Sequence, residues 1–161
     1  MVDLQFFEPK DLPELNYELD EIQAQFSALP KQALERIEAR NQNDDFFAYP
    51  ITIFYDEKVA GFCVLDFGDD KLALTDNADS VLLRSLSINP EFQGNGIGKS
   101  VMIVLDHFIK EHFKDCNEIV LSVNERNDLA FQIYLKTGYI FEGKKIEGRS
   151  GPQFVMFKIL D

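Results

Sequence analysis

The chain has no tryptophan and two cysteines, and its 16 Lys and Arg are outnumbered by 28 Asp and Glu. Each shortage excludes something. Cys63 and Cys116 lack the paired spacing of a metal site and are too few for a disulfide framework. They suit a reducing cytoplasm, and Cys63, inside an apolar run, reads as core. A net charge of −12 leaves no basic face for a nucleic-acid backbone. No apolar run approaches the roughly 18–20 residues that cross a bilayer. Met1-Val2-Asp3 opens without the basic and apolar regions of a signal peptide. The expected location is the cytoplasm.

What is present suits one domain with a real core: 161 residues, 45 % hydrophobic, 15 of them phenylalanine. No repeat, low-complexity tract or linker divides it. The acidic excess is confined to one half. Residues 1–80 carry 6 basic and 18 acidic side chains, residues 81–161 carry 10 of each. A cleft of that sign concentrates a cationic small molecule; carboxylates solvating exposed helices give the same count.

In chain order, residues 3–8 read as an edge strand. Asp11 is placed to cap a helix with Pro13 in its first turn, and Leu15, Leu19, Ile22 and Phe26 make its buried stripe. Pro30 starts a second helix with Ala33, Leu34 and Ile37 inward, and 41–45 is a polar loop. Strands at 51–55 and 59–67 form a hairpin turning at 56–58. Residues 71–80 read as a loop or as an added strand at 72–74. A strand at 82–88 is stopped by Asn89-Pro90, because proline has no N–H for the ladder. A helix at 96–112 follows, with Val101, Met102, Leu105, Phe108 and Ile109 on one face. A strand at 118–123, a helix at 127–136 ended by Gly138, and strands at 139–143 and 154–159 complete the chain. A helix joins the strands at 82–88 and 118–123, so these should be parallel neighbours.

Between the strand at 82–88 and its helix lies Gln93-Gly94-Asn95-Gly96-Ile97-Gly98-Lys99-Ser100. A helix start leaves N–H groups unpaired and carries partial positive charge; glycines let an anion approach, and Lys99 adds a cation. The bland alternative is a tight turn that needs glycine for its backbone angles. Three phosphate-binding patterns compete. A nucleotide P-loop would need glycine at 93, where Gln93 stands. The dinucleotide fingerprint needs two residues between its second and third glycines, and one separates Gly96 from Gly98. The third pattern, Gln or Arg, two residues, Gly, one residue, Gly or Ala, is met by Gln93, Gly96 and Gly98. It resembles the acyl-coenzyme A loop of the GNAT superfamily of N-acetyltransferases. A second stretch, Asn127, Ala130, Tyr134 and Gly138-Tyr139, is similar to another signature of that family, in family order and spacing. The resemblance covers roughly 48–160; residues 1–47 match in general layout.

The resemblance implies a mixed α/β fold: a mostly antiparallel sheet with two parallel central strands, flanked by about four helices, in a single domain spanning 1–161. Residues 81–139 would hold acyl-coenzyme A, and 1–47 would flank the acceptor. It implies acetyl-coenzyme A as co-substrate, with no metal, and direct attack by an amine. The backbone of Leu86, Ser87 and Ile88 would pair with the cofactor arm, and the Ile88 N–H would polarise the thioester carbonyl. Gln93, Gly94, Asn95, Gly96, Ile97, Gly98, Lys99 and Ser100 would take the pyrophosphate. Asn127 and Ala130 would hold the arm from the second strand, and Tyr134 would bind near sulfur and protonate it on departure. Relatives carry a base Glu at the positions of Leu82 or Ser122, so no base is assigned. Glu125 is close in sequence, and a water chain past Ser85 or Ser87 is an alternative. His107 and His112 lie far along the helix, suited to exposed or packing roles. The acceptor is a small or cationic primary amine, a polycation among the options; a protein N-terminus or lysine stays open, and a homodimer is compatible. The alternative is a non-catalytic acyl-coenzyme A-binding or regulatory domain of the same fold. A P-loop hydrolase fits poorly, with a loop one residue short and about 60 residues after it for the parallel sheet it needs.

Overall fold

The structure is a computed structural model describing residues 1–42 and 47–161. Seven strands, β1 (Val2–Phe6), β2 (Ala48–Tyr55), β3 (Lys58–Asp66), β4 (Ser80–Ile88), β5 (Glu118–Asn124), β6 (Ile140–Gly148) and β7 (Gly151–Ile159), form one sheet in the order β1-β2-β3-β4-β5-β7-β6. Every neighbouring pair is antiparallel except β4 and β5. The helices are α1 (Glu21–Ala24), α2 (Pro30–Arg40), α3 (Ile97–His112) and α4 (Asp128–Lys136). This is the expected mixed α/β sheet with one parallel pair.

Strand alternation sorts the core into two layers. Phe62 and Val64 of β3 turn to one face and pack with Leu15, Ala33 and Ile37. Cys63 and Leu65 turn to the other and pack with Val101, Met102 and Leu105 of α3. The apolar stripe of α3 is fully buried, as its spacing requires. Asp56 and Glu57 close the β2–β3 hairpin with φ of 48° and 70°, the backbone of a two-residue turn whose twist suits paired strands.

The first fifty residues correct the sequence reading. No single helix runs through 11–26. A 3₁₀ segment covers Pro9–Leu15, 16–20 is not helical, and α1 has four residues. Contacts to the sheet outcompete helix propensity here. Asp11 is buried and accepts from Thr52 Oγ1 at 3.0 Å and from the Glu8 N–H at 3.0 Å, so it anchors the segment to β2 instead of starting a long helix. Leu15 is core, and two residues on the Tyr17 hydroxyl reaches Ser87 of β4. The side chain of Ile22 and residues 43–45 of the polar loop lie outside the described residues. At 69–73 a 3₁₀ turn replaces the added strand considered at 72–74, because buried Lys71 donates to the carbonyls of Ala78 at 2.7 Å and Ser80 at 2.9 Å and curls the chain around itself. The last two strands are longer than the sequence indicated and meet at Gly148 and Gly151.

Candidate active site

The parallel pair is closed at one end only. Ser80, Val81 and Leu82 pair with Glu118, Ile119 and Val120, and the ladder stops there. Past that point β4 stays with β3 as far as Ile88, and β5 stays with β7 as far as Asn124. The two strands therefore open a gap toward their carboxyl ends, where α3 and α4 begin. Ligands of parallel strands bind at such ends.

A bulge drives the opening. Phe62 pairs with Ser87 and Val64 with Arg84, so Ser85 and Leu86 together face the single residue Cys63. Ser85 takes φ +57°, a left-handed backbone that a non-glycine residue adopts only where the surroundings force it. β3 lies hard against the bulged strand at Gly61, where a Cβ would fall 2.5 Å from the Ser87 carbonyl oxygen. The Asn89 N–H donates to Ala60 O at 2.8 Å. Antiparallel alternation then turns the N–H and carbonyl of Ile88 the other way, into the gap.

The glycine-rich loop closes one side. Asn89 caps a short turn by accepting from the Glu91 N–H at 3.0 Å, and Asn95 Nδ2 donates to Phe92 O at 2.8 Å. Gly94 and Gly96 have φ of 87° and 71°, and nothing among the described residues lies within 4 Å of where their Cβ atoms would stand. The glycines thus supply both the left-handed backbone and an open approach. The first intrahelical bond of α3 runs from the Ser100 N–H to Gly96 O at 3.1 Å, leaving the N–H groups of Ile97, Gly98 and Lys99 directed out of the helix start. Ile97 is buried and pins that turn; Lys99 is exposed beside it.

α4 brings the other side. Asn127 is its N-cap, its Oδ1 accepting from the Ala130 N–H at 3.4 Å. That bond occupies the Ala130 donor and leaves the Asn127 amide N–H free to bond elsewhere. Tyr134 is half-buried, its ring 5.8 Å from that of Tyr139, and its hydroxyl has no hydrogen-bond partner among the described residues. Burial pushes its phenol up to about 12. Cys63, opposite the bulge, is buried, and burial pushes its thiol up to about 12, so it stays neutral.

The loop from Gln93 to Ser100, the edge of β4 at Leu86–Ile88 that β5 leaves without a strand partner, Asn127 and Tyr134 therefore surround one opening. Leu82 is core at its closed end, and Ser122 pairs with Val155 of β7. Glu125 is engaged by Lys145 at 3.7 Å. His107 and His112 flank Glu111 at the far end of α3, and His112 packs edge-to-face against Phe6 and tilted against Phe108.

The sequence reading missed the segment that crosses the opening. Ser27 Oγ donates to Leu86 O at 2.9 Å. Gln93 Nε2 donates to Ile88 O at 3.3 Å and to Gln23 Oε1 at 2.8 Å. Ser150 Oγ, from the β6–β7 turn, donates to Gln25 O at 2.9 Å, and the Arg126 guanidinium lies 5.9 Å from the Phe26 ring centre. Residues 23–27 thus touch β4, the loop before α3, the start of α4 and the last hairpin. No spacing signals this; an aromatic in an acidic stretch, Tyr17, is the one visible hint. Beyond Tyr17 a cavity of about 930 Å³ runs between the 3₁₀ segment, the β2–β3 turn and the residues after β4. Its walls carry Asp11, Glu14, Glu18, Glu57 and Glu91 against Lys10 and Lys58. Among the described residues no cluster of three or more His, Cys, Asp or Glu is placed to hold a metal ion.

Comparison with known proteins agrees with this geometry. The model of the acetyltransferase (GNAT) family matches residues 12–139. The chain is 33 % identical over 161 residues to the uncharacterized N-acetyltransferase YbbJ of Bacillus subtilis (strain 168), covering 99 % of this chain and 98 % of that one. It is 30 % identical over 96 residues to a spermine/spermidine N(1)-acetyltransferase of the same strain, 59 % of this chain and 61 % of that one. Among solved structures, a spermidine N-acetyltransferase from Vibrio cholerae in complex with CoA and spermine superposes with a TM-score of 0.71 at 17 % identity, covering 99 % and 95 % of the two chains. An aminoglycoside acetyltransferase in complex with coenzyme A and kanamycin gives 0.75 at 15 % identity, with coverage of 99 % and 95 %. At such identities these two structures speak for the fold alone.

Proposed function

The chain belongs to the acetyltransferase (GNAT) family and is an acetyl-coenzyme A-dependent acyltransferase, and from that membership we propose that it acetylates a small, cationic primary amine by direct attack with both substrates bound. The observation that carries this reading is the open end of the β4–β5 pair, with an uncapped, glycine-opened helix start beside it. Coenzyme A fits that arrangement on the chemistry of the groups present. The N–H groups of Ile97, Gly98 and Lys99, the backbone of Gly94 to Gly96 with the flanking Gln93 and Ser100, and the Lys99 ammonium suit a pyrophosphate. The Ile88 N–H, on the part of β4 that β5 leaves unpaired, and the Asn127 amide N–H suit the carbonyls of an extended arm. Bound acetyl-coenzyme A supplies an activated acyl carbon.

The protein's own groups do the rest. The Ile88 N–H, turned into the gap, is an oriented donor for a carbonyl that gains negative charge as it is attacked. Tyr134 stands as the donor to the departing sulfur, and its raised pKa keeps its proton in place throughout the working range. The acidic cavity next to Tyr17 suits a cationic acceptor. The relatives that act on spermine and spermidine make polyamines the first acceptors to try.

The test is a thermal-shift series with acetyl-coenzyme A, coenzyme A and magnesium-ATP, followed by thiol release with spermidine, spermine, kanamycin and a lysine peptide. Ligand at about 100 times its Kd adds ~2.7 kcal/mol of stability. A shift with both coenzyme A forms and none with ATP, then thiol release with the polyamines, is the expected result. Binding without release from any amine identifies a silent acyl-coenzyme A-binding domain, the reading that the non-acidic Leu82 and Ser122 favour.

A further inference from the structure

Attack needs a neutral amine, and amines of this class are protonated near neutrality, so a proton must leave the acceptor. Leu82, Ser122 and Glu125 do not supply the route: the first is core, the second is not acidic and the third is paired with Lys145. Two hydroxyl side chains remain at this level of β4: Ser85, which lines a small cavity with Arg36, Arg40 and Arg84, and Ser87. The neighbour of Ser87 across the ladder, Phe62, belongs to the core layer beneath the 3₁₀ segment, so Ser87 turns to the face opposite α3 and α4. Tyr134 comes from the α4 face. An acceptor entering across the sheet from Tyr134, toward the carbon held at Ile88, therefore meets Ser87 first.

Ser87 is buried, and its Oγ lies 2.6 Å from the Tyr17 hydroxyl. Tyr17 also reaches Ser87 O at 3.2 Å, and it lines the cavity of about 930 Å³. Two hydroxyls in contact can each take a proton on one side and release one on the other. Building on the acetyl-transfer reading above, we propose that Ser87 and Tyr17 form the path by which the acceptor's proton leaves: Ser87 takes it, and Tyr17 holds Ser87 in place and passes a proton on to water in the acidic cavity. The balance is simple. The ammonium N–H bond breaks as a new O–H bond forms on Ser87, Ser87 gives its original proton to Tyr17, Tyr17 gives its own to a cavity water, and a carboxylate of the cavity wall takes a proton from that water as the final base. Rotation of both hydroxyls then restores the start. The nitrogen lone pair freed in the first step makes the bond to the acyl carbon.

The charges around this pair are favourable. Cys63, from β3, is the titratable group nearest Tyr17 within the sheet, and burial keeps its thiol protonated, pushed up to about 12, so it sets no charge against the pair. On the cavity side Asp11, Glu14, Glu18, Glu57 and Glu91 exceed Lys10 and Lys58, so a released proton is drawn outward. α2 also packs on the 3₁₀ segment, but Arg36 and Arg40 line a separate small cavity beside Arg84, and Lys31, Glu35 and Glu38 are exposed.

The test is the pH dependence of kcat/KM for the most active amine of the panel, in the unaltered protein and in Tyr17→Phe and Ser87→Ala, alongside coenzyme A affinity. The path lets the unaltered protein level off well below the amine's own pKa, which lies near 10. Each variant should depend on pre-existing neutral amine. Its log(kcat/KM) should keep rising by about one per pH unit toward pH 10, so that a deficit of about 100-fold near neutrality closes as pH increases. Coenzyme A affinity of Tyr17→Phe should stay within about twofold. A variant profile parallel to that of the unaltered protein, merely lower at every pH, would mean the pair only supports the fold and would overturn the path while leaving acetyl transfer intact. Unchanged kinetics would overturn it too. Failure of the unaltered protein to acetylate any amine would overturn the transfer reading and the path with it.

Discussion

Tyr134 and Gly61 show how much of the proposed chemistry rests on single side chains. Tyr134 has a hydroxyl without a hydrogen-bond partner among the described residues and a pKa raised by burial, which suits a group kept as a donor. Tyr134→Phe should lower kcat by about 100-fold or more, the range of a lost general acid, while coenzyme A affinity changes little. A drop in affinity as large as the drop in kcat would make the ring a packing element and remove the acid role. Because the phenol ionises at about 12, the pH profile should show no alkaline limb from this residue in the ordinary assay range. Gly61 acts at one remove. A methyl group there meets Ser87 O at 2.5 Å and Ile88 Cδ1 at 2.9 Å, and one of those contacts is backbone, so the bulged strand must shift. Gly61→Ala should cost about 1–3 kcal/mol in denaturant unfolding, the usual penalty of overpacking. It should also raise the Kd for acetyl-coenzyme A, because the residues displaced are those of the edge that β5 leaves unpaired. A destabilised variant with unchanged affinity would separate the bulge from the binding site.

At the scale of elements, the start of α3 is where sequence and structure agree most closely. Glycine, turn residues and the apolar stripe of Val101, Met102, Leu105, Phe108 and Ile109 are local signals, and each acts within a few residues of itself. The same holds for α4, where Asn127 caps and Gly138 ends the helix. Gly96→Asp puts a carboxylate and a strained left-handed residue at the anion site together, so coenzyme A binding should weaken by about 100-fold or more in a thermal-shift or calorimetric titration. Binding within threefold of the unaltered protein would move the pyrophosphate elsewhere. The illegible parts are those fixed by distant partners. The stripe Leu15, Leu19, Ile22 and Phe26 has helical spacing, yet Asp11 bonds to Thr52 some forty residues away, and Tyr17 bonds to Ser87 seventy residues away. Local propensity cannot compete with two such anchors, and no window of sequence contains them. Ser27, which occupies Leu86 O, was invisible for the same reason. The bulge at Ser85 has no glycine to announce it; the glycine that accommodates it, Gly61, sits on the neighbouring strand.

Two properties belong to the molecule as a whole. The net charge of −12 comes from the half that also supplies most of the cavity beside Tyr17, including four of its five carboxylates. If that field gathers a cationic acceptor, the acceptor's KM should rise several-fold from low ionic strength to about 0.5 M salt, where the screening length falls to a few ångströms. A flat response would mean that the carboxylates serve hydration only. The second property is stability at high pH. Burial raises the thiol of Cys63 from 9.0 to about 12 and the phenol of Tyr134 from 10.0 to about 12, and Tyr17, Tyr139 and Cys116 are shifted the same way. Each group is neutral when protonated, so between its ordinary and its raised value the unfolded chain has lost a proton that the folded chain keeps. Deprotonation then favours the unfolded state, and stability falls with rising pH by up to about 1.4 kcal/mol per unit per group. The melting temperature should therefore hold level up to about pH 9 and fall with growing slope from there toward pH 12. The first part of that fall belongs to the cysteines, since the tyrosines of the unfolded chain ionise about one unit later. Cys63→Ala should lower the melting temperature at every pH through lost packing. It should also flatten the decline between about pH 9 and 10, leaving the smaller share due to Cys116. A decline in that interval as steep as in the unaltered protein would show that Cys63 exchanges its proton with solvent in the folded state, and that the sheet beneath the bulge is open rather than closed.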